Sequence, residues 1–317
     1  MESPLASFPL RLSCLAVVLT LTLACTGSSA DVSPIDQQAI RKHLEKISAN
    51  PHPPGSPAQV LVGDYLLSEL KSYGAETQVD EFEPITPIGR LKMRNIWGII
   101  PGKTDRIIIL ASHYDSKYFK DFRFVGANDP GSSAALVLEL ARLLVKNNPT
   151  DYTVWCTFFD GEEAIDEWTD LDSLYGSRRF VQMLESRNQL GKLAALFLFD
   201  LIGDSKLTLR RDGNSTPSLN DIIWTTGQEM GFGSIFVQGG TVVVDDHIPF
   251  ARAGVPVVDL IDLDYPEWHT AADTVDKVSI ENVATVGTVF LAALPKLAKA
   301  LGSPPARRTT RPVRRVR

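Results

Sequence analysis

The chain has 317 residues, 44% hydrophobic, 22% charged and 8% aromatic, which excludes collagen-like and wholly disordered polymers. Three cysteines cannot build a disulfide framework. The formal charge is −6, yet residues 306–317 carry six arginines and no acid, so the remainder sums to −12. A body that acidic offers no general basic field, and no nucleic-acid partner is expected.

In chain order, Arg11 precedes an apolar run of fourteen residues, 12–25, and Gly27-Ser28-Ser29-Ala30 supplies small residues for cleavage. Residues 1–30 therefore read as a signal peptide. The run is shorter than the ~20 residues that span a bilayer, so no transmembrane segment is expected. Cleavage after Ala30 would export a secreted or periplasmic protein. Leu21-Thr22-Leu23-Ala24-Cys25 also resembles an imperfect lipoprotein signal, which would anchor a lipid on Cys25.

The folded domain is expected over residues 31–302. Ser33-Pro34 reads as the cap of a first helix with apolar Ile35, Ile40, Leu44 and Ile47. The Pro-rich run 51–57 breaks it, and a second amphipathic helix extends to about Tyr73. Strands are expected at 76–82, 91–100, 106–112, 152–159, 193–202 and 255–261. Helices are expected at 131–147, 173–185, 220–230 and 280–301. Strands alternating with helices, several continuously apolar, predict an α/β fold: one globular domain with an open, mostly parallel central β-sheet and helices on both faces. Residues 303–317, rich in Pro and Arg, cannot bury enough apolar surface to fold.

Polar residues cluster just beyond the apolar strands, at the edge where open parallel sheets bind ligands. These clusters are His113-Tyr114-Asp115, Asn128-Asp129-Pro130, Asp160-Gly161-Glu162-Glu163, Asp200, Asp245-Asp246-His247 and Trp268-His269. Any one of them alone reads more readily as a solvated loop or a satisfied structural histidine than as a ligand. Gathered at one edge, carboxylates and imidazoles repel and desolvate one another unless a cation sits among them, and His with Asp or Glu suits zinc.

The set His113/Asp115, Asp129, Glu162-Glu163, Asp200 and His269 resembles the zinc-dependent exopeptidase clan over residues 35–301. Longer runs are similar to animal-type glutaminyl-peptide cyclotransferases: Ser112–Tyr118, Phe158–Ala164, Asp172–Arg178, Asp200–Gly203, Asp245–Phe250 and Trp268–Thr270. The resemblance implies one zinc per chain on Asp129, Glu163 and His269. It implies Glu162 as proton shuttle, Asp200 and Asp245 as supporting carboxylates, and Trp168, Tyr265 and Trp268 as the walls of the substrate pocket. The implied activity converts the N-terminal glutamine of peptides or proteins to pyroglutamate with loss of ammonia, and a monomer is expected. Within the clan, an Asp129-Pro130 bond in the cis form is expected, because proline makes that form cheap.

Some positions depart from the pattern. Gly126-Ala127-Asn128-Asp129 reads more like the aminopeptidase relatives. Ser112 and Ala134-Ala135 stand where the animal enzymes carry a disulfide. Val244 replaces a Gln, Tyr265 replaces a Phe, and the segment from Tyr265 to Trp268 is one residue shorter. The competing enzyme is a two-metal aminopeptidase using His113, Asp129, Glu163, Asp200 and His269. A non-catalytic binding protein on the same scaffold is the third reading. Asp245 separates the two enzymes, since a carboxyl beside Asp200 would share a proton with it and occupy a ligand of the second metal.

Overall fold

The computed structural model describes residues 35–302 together with Met1. The rest of the signal segment, Cys25, the Ser33-Pro34 pair and the tail 303–317 lie outside the described residues. Helix α1 (Gln37–Ile47) is capped by Asp36, whose carboxylate accepts from the N–H groups of Gln38 and Ala39. A carboxylate there satisfies two of the N–H groups that the first turn leaves free. Helix α2 (Pro57–Tyr73) starts on the Ser56 cap with Pro57 in its first turn, and ends at Gly74 in the left-handed conformation.

Strand β1 (Glu76–Phe82), the short hairpin β2 (Ile85–Thr86) and β3 (Gly89–Arg90), and β4 (Met93–Ile100) lead into β5 (Ile107–His113). A π-helical turn (Ala127–Ser132) runs into α3 (Ser133–Lys146), followed by β6 (Thr153–Phe159), α4 (Tyr175–Ser186) and β7 (Leu193–Asp200). The remainder comprises β8 (Leu209–Asp212), α5 (Pro217–Glu229), β9 (Phe236–Thr241), α6 (His247–Arg252), β10 (Val257–Ile261) and α7 (Ile280–Ala300). The hairpin β2–β3, the parallel pair β8–β9 and α6 are absent from the sequence expectation; each is too short to show a period.

The central sheet runs β1-β4-β6-β5-β7-β10. Strands β6, β5, β7 and β10 are parallel to one another, and β4 is antiparallel to both β1 and β6. Alternate residues of the buried strands feed two cores, as the period of two requires. In β5, Ile108 and Leu110 join the larger core under α1, α2, α3, α5 and α7, while Ile107, Ile109 and Ala111 join the smaller one under α4 and α6. Helix α7 is long and apolar enough to cross a membrane by length and composition, but most of that stretch is buried in the larger core.

Strand register builds the site. His113 ends β5 opposite Phe159, the last residue of β6, and Asp200 ends β7 opposite Ile261 of β10. Three chain segments thus deliver their first polar residues to the same carboxyl edge.

Candidate metal centre

Two ligand sets share one carboxylate. His113, Asp129 and Asp200 form one, and Asp129, Glu163 and His269 the other; in each, the ligand atoms lie within 4.8 Å of one another. His113 Nε2 is 3.1 Å from Asp129 Oδ1 and 3.3 Å from Asp200 Oδ1. His269 Nε2 is 3.3 Å from Asp129 Oδ2 and 3.0 Å from Glu163 Oε1. The outer set, with His269, opens on a cavity of about 440 Å³ that Glu162, Asp200, Asp245, Trp168 and Trp268 also line. The cavity thus brings together Asp129, Glu163 and His269 with Glu162, Asp200, Asp245, Trp168 and Trp268.

Backbone clamps aim these side chains. The Asp115 carboxylate accepts the N–H of Glu162 at 3.1 Å and that of Glu163 at 3.2 Å, one on each oxygen. Asp273 does the same for Asn128 (2.7 Å) and Asp129 (3.2 Å), and Asn128 Oδ1 accepts the N–H of Gly203. The Asp129-Pro130 bond is cis, as expected. His269 sits at φ 54°, in the left-handed region, a local cost that a functional position can carry. Edge-on contacts from Phe119 and Phe124 hold its ring.

The charge balance explains why a cation fits. Burial alone would lower the pKa of His269, but hydrogen bonds to Asp129 and Glu163 raise it to about 9. Burial likewise opposes the charge on His113, yet contacts with Asp115, Asp129 and Asp200 hold it well above the ordinary range. Each imidazole is thus held between carboxylates that demand a positive charge, which a proton or a metal can supply. Glu162 is pushed well above the ordinary range by burial, against the field of His113 and with those of Asp245 and Glu163. Burial also raises Asp200, to about 7, and Asp245, each against the field of His113.

These observations meet the known proteins at one point. The family model of peptidase family M28 matches residues 95–294. Glutaminyl-peptide cyclotransferase of Bos taurus is 34% identical over 278 residues, 75% of this chain and 77% of that protein. The crystal structure of an Acidobacteriales bacterium glutaminyl cyclase superposes with TM-score 0.80 at 35% identity, covering 86% of this chain and 98% of that one. That of Porphyromonas gingivalis glutaminyl cyclase gives 0.76 at 26%, covering 84% and 99%. The chain belongs to peptidase family M28, among its glutaminyl-peptide cyclotransferases.

Against the family pattern, two expectations are corrected. Tyr265 is no wall of the cavity: it is buried, packs with Leu201, Val243 and Ile261, and donates its hydroxyl to Asp273 at 3.1 Å. A phenol that finds a buried carboxylate is drawn inward, so it braces the Asp273 clamp from behind. The expected hydrogen bond between Asp200 and Asp245 is also replaced. Asp200 Oδ1 accepts the N–H of Leu201 at 2.8 Å and faces His113, whereas Asp245 Oδ1 accepts the N–H of Asp246 and its Oδ2 is buried without a partner among the described residues. The two carboxyls act on each other through their fields.

Where Ser112 stands in place of a disulfide cysteine, its hydroxyl donates to Ser133 at 2.9 Å, and Cys156 is a buried free thiol. Three contributors have no assigned role in the sequence reading. They are Asp115, visible in its motif; Asp273, with no local signal at all; and Lys117, whose Nζ lies 3.4 Å from Glu163 Oε2 and donates to Ala164 O at 3.1 Å.

Proposed function

We propose that the protein converts the N-terminal glutamine of peptides or proteins to pyroglutamate and ammonia, holding one zinc through Asp129, Glu163 and His269. The observation that carries this reading is the placement of Glu162. It is a buried carboxyl, lifted out of the ordinary range, on the wall of the cavity onto which the outer ligand set opens. Two imidazole- and carboxylate-bearing sets with converging donors suit zinc. When bound there, zinc supplies a Lewis acid for the γ-carbonyl of the substrate glutamine.

The remaining work belongs to the chain. The nucleophile is the substrate's own α-amine, so orientation accounts for much of the acceleration. Trp168 and Trp268, 44% and 41% exposed, both line the cavity and offer flat apolar faces to an amide. Glu162 takes one proton from the attacking amine as the N–C bond forms. It returns that proton to the amide nitrogen, which leaves as ammonia when its bond to the same carbon breaks. A carboxyl with raised pKa can do both near neutral pH. Asp245 accepts from the amide N–H, with Asp200 behind it. The segment 1–30 supports export as part of the same reading.

One observation favours a second reading, a two-metal aminopeptidase: the inner set His113, Asp129 and Asp200 is also complete. Assaying ammonia release from a glutaminyl arylamide beside arylamine release from a leucyl arylamide decides between them. Ammonia without free arylamine is expected; arylamine from the leucyl substrate without cyclisation would overturn the cyclotransferase reading.

A further inference from the structure

The run Asp245–Phe250 places Asp245 at the cavity, while His247, two residues on, is fully buried and does not line it. His247 lies between two acids, with Nε2 3.2 Å from Asp212 Oδ2 and Nδ1 3.4 Å from Asp259 Oδ2. These are close contacts; among the described residues neither ring nitrogen makes a well-aligned hydrogen bond. Asp212, the last residue of β8, reaches further. Its Oδ1 accepts the N–H of Val243 at 3.0 Å, and its Oδ2 also accepts the Ser215 hydroxyl at 2.9 Å. One carboxylate therefore grips the chain two residues before Asp245 and two residues after it. Asn214, two residues beyond Asp212, adds a bond to Val243 O at 2.7 Å.

Asp245 itself has little else to fix it. Its Oδ1 accepts from the adjacent N–H of Asp246, and its carbonyl accepts Ile248 N–H at 2.8 Å to open α6. Its Oδ2 has no partner among the described residues. An oxygen held by no donor of its own stays in place only if the backbone on both sides is held.

We propose that Asp212 and His247 form a staple that positions Asp245 for the reaction. Both are positioning residues: they line no part of the cavity and act through the 243–247 segment. The proposal rests on the cyclotransferase reading, in which Asp245 meets the reacting amide. It explains why a fully buried His–Asp pair lies beneath the cavity wall without facing the metal centre.

The test uses the full, zinc-loaded protein and measures kcat, KM and zinc content for Asp212→Ala, Asp212→Asn, His247→Gln, Asp245→Asn and the double variant Asp212→Ala/Asp245→Asn. Displacing a reacting group by ~1 Å costs on the order of 100-fold. Asp212→Ala should therefore lose kcat by about that factor, with KM and zinc content little changed. Asp212→Asn should lose less, because its side-chain oxygen can still accept from Val243. The double variant should be no slower than Asp245→Asn alone, since a residue acting through another adds nothing once that other is gone. If Asp212→Ala does not fold, Asp212→Asn and His247→Gln carry the same cycle.

A crystal structure of Asp212→Asn supplies a readout independent of rate, with the Asp245 carboxyl expected to be displaced. An active wild type whose Asp212 and Asp245 effects multiply, or an Asp245 that does not move, would overturn the staple alone. A wild type that releases no ammonia would overturn the parent reading and the staple with it.

Discussion

The two ligand sets that share Asp129 use the same residue types and end in different states. In the outer set the His269 side chain is 24% exposed and faces the cavity, so a cation and a substrate can both reach it. In the inner set His113 is 1% exposed, its Nδ1 lies 3.1 Å from Asp115 O, and its Nε2 is wedged between Asp129 and Asp200. A proton on that buried imidazole would give the inner carboxylates the positive charge that a second metal would otherwise give them. The difference teaches that a ligand count does not determine a metal count. What matters is whether the protein has already balanced the cluster and whether the open coordination faces solvent or protein.

The largest effect should come from breaking the outer set. His269→Ala should lose zinc on dialysis and with it essentially all turnover, as read by metal analysis and ammonia release. Next is the group that moves the proton. Glu162→Gln should keep its zinc and fold while kcat falls by about 10²–10⁴-fold; a rate near wild type would remove Glu162 from the mechanism. The inner set should respond through stability instead. His113→Gln should still bind one zinc, but leaving its buried carboxylates unbalanced should destabilise the fold by about 3–5 kcal/mol in urea unfolding. Two zinc ions in the wild type and one in this variant would reverse the comparison.

A pH titration sharpens it. With its pKa raised to about 9 in the metal-free centre, His269 must give up a proton to bind zinc. The sign follows: the protonated form dominates below pH 9, so apparent zinc affinity should rise about tenfold per pH unit up to that value and then flatten. The smallest effect concerns the cavity mouth. The Asp172 carboxylate accepts the N–H groups of Ile165, Asp166 and Glu167 and the Tyr175 hydroxyl, which holds the loop bearing Trp168. Asp172→Asn should raise KM a few-fold and leave kcat unchanged.

Much of this was legible in the residues. The apolar runs of β5, β6 and β7 are buried throughout, so their composition alone marked them as central strands, and the polar residues that follow each run had to emerge at one edge. Glu162-Glu163 and Asp200 stand out that way, whereas Asp129 and His269 were singled out by the family resemblance. Tyr265 was misplaced for the opposite reason. Its neighbours Trp268 and His269 do face the cavity, and nothing in the local pattern tells that its hydroxyl turns back to Asp273, eight residues on. The short elements β8, β9 and α6 carry too few residues for a period; β9 and α6 flank the 242–245 segment that lines the cavity, and Asp212 of β8 holds it.

Residue type and local spacing account for the α/β alternation and the acidic body, whereas the candidate ligands and Glu162 were pointed out by the resemblance to a known family. Tertiary structure alone decided which acid holds which backbone. Asp115 on Glu162 and Glu163, Asp273 on Asn128 and Asp129, and Asp212 on Val243 and His247 are contacts between residues 31 to 145 positions apart. A carboxylate's field and its hydrogen bonds act through space, so its partner is set by where the strands end in three dimensions and leaves no trace in the order of the chain.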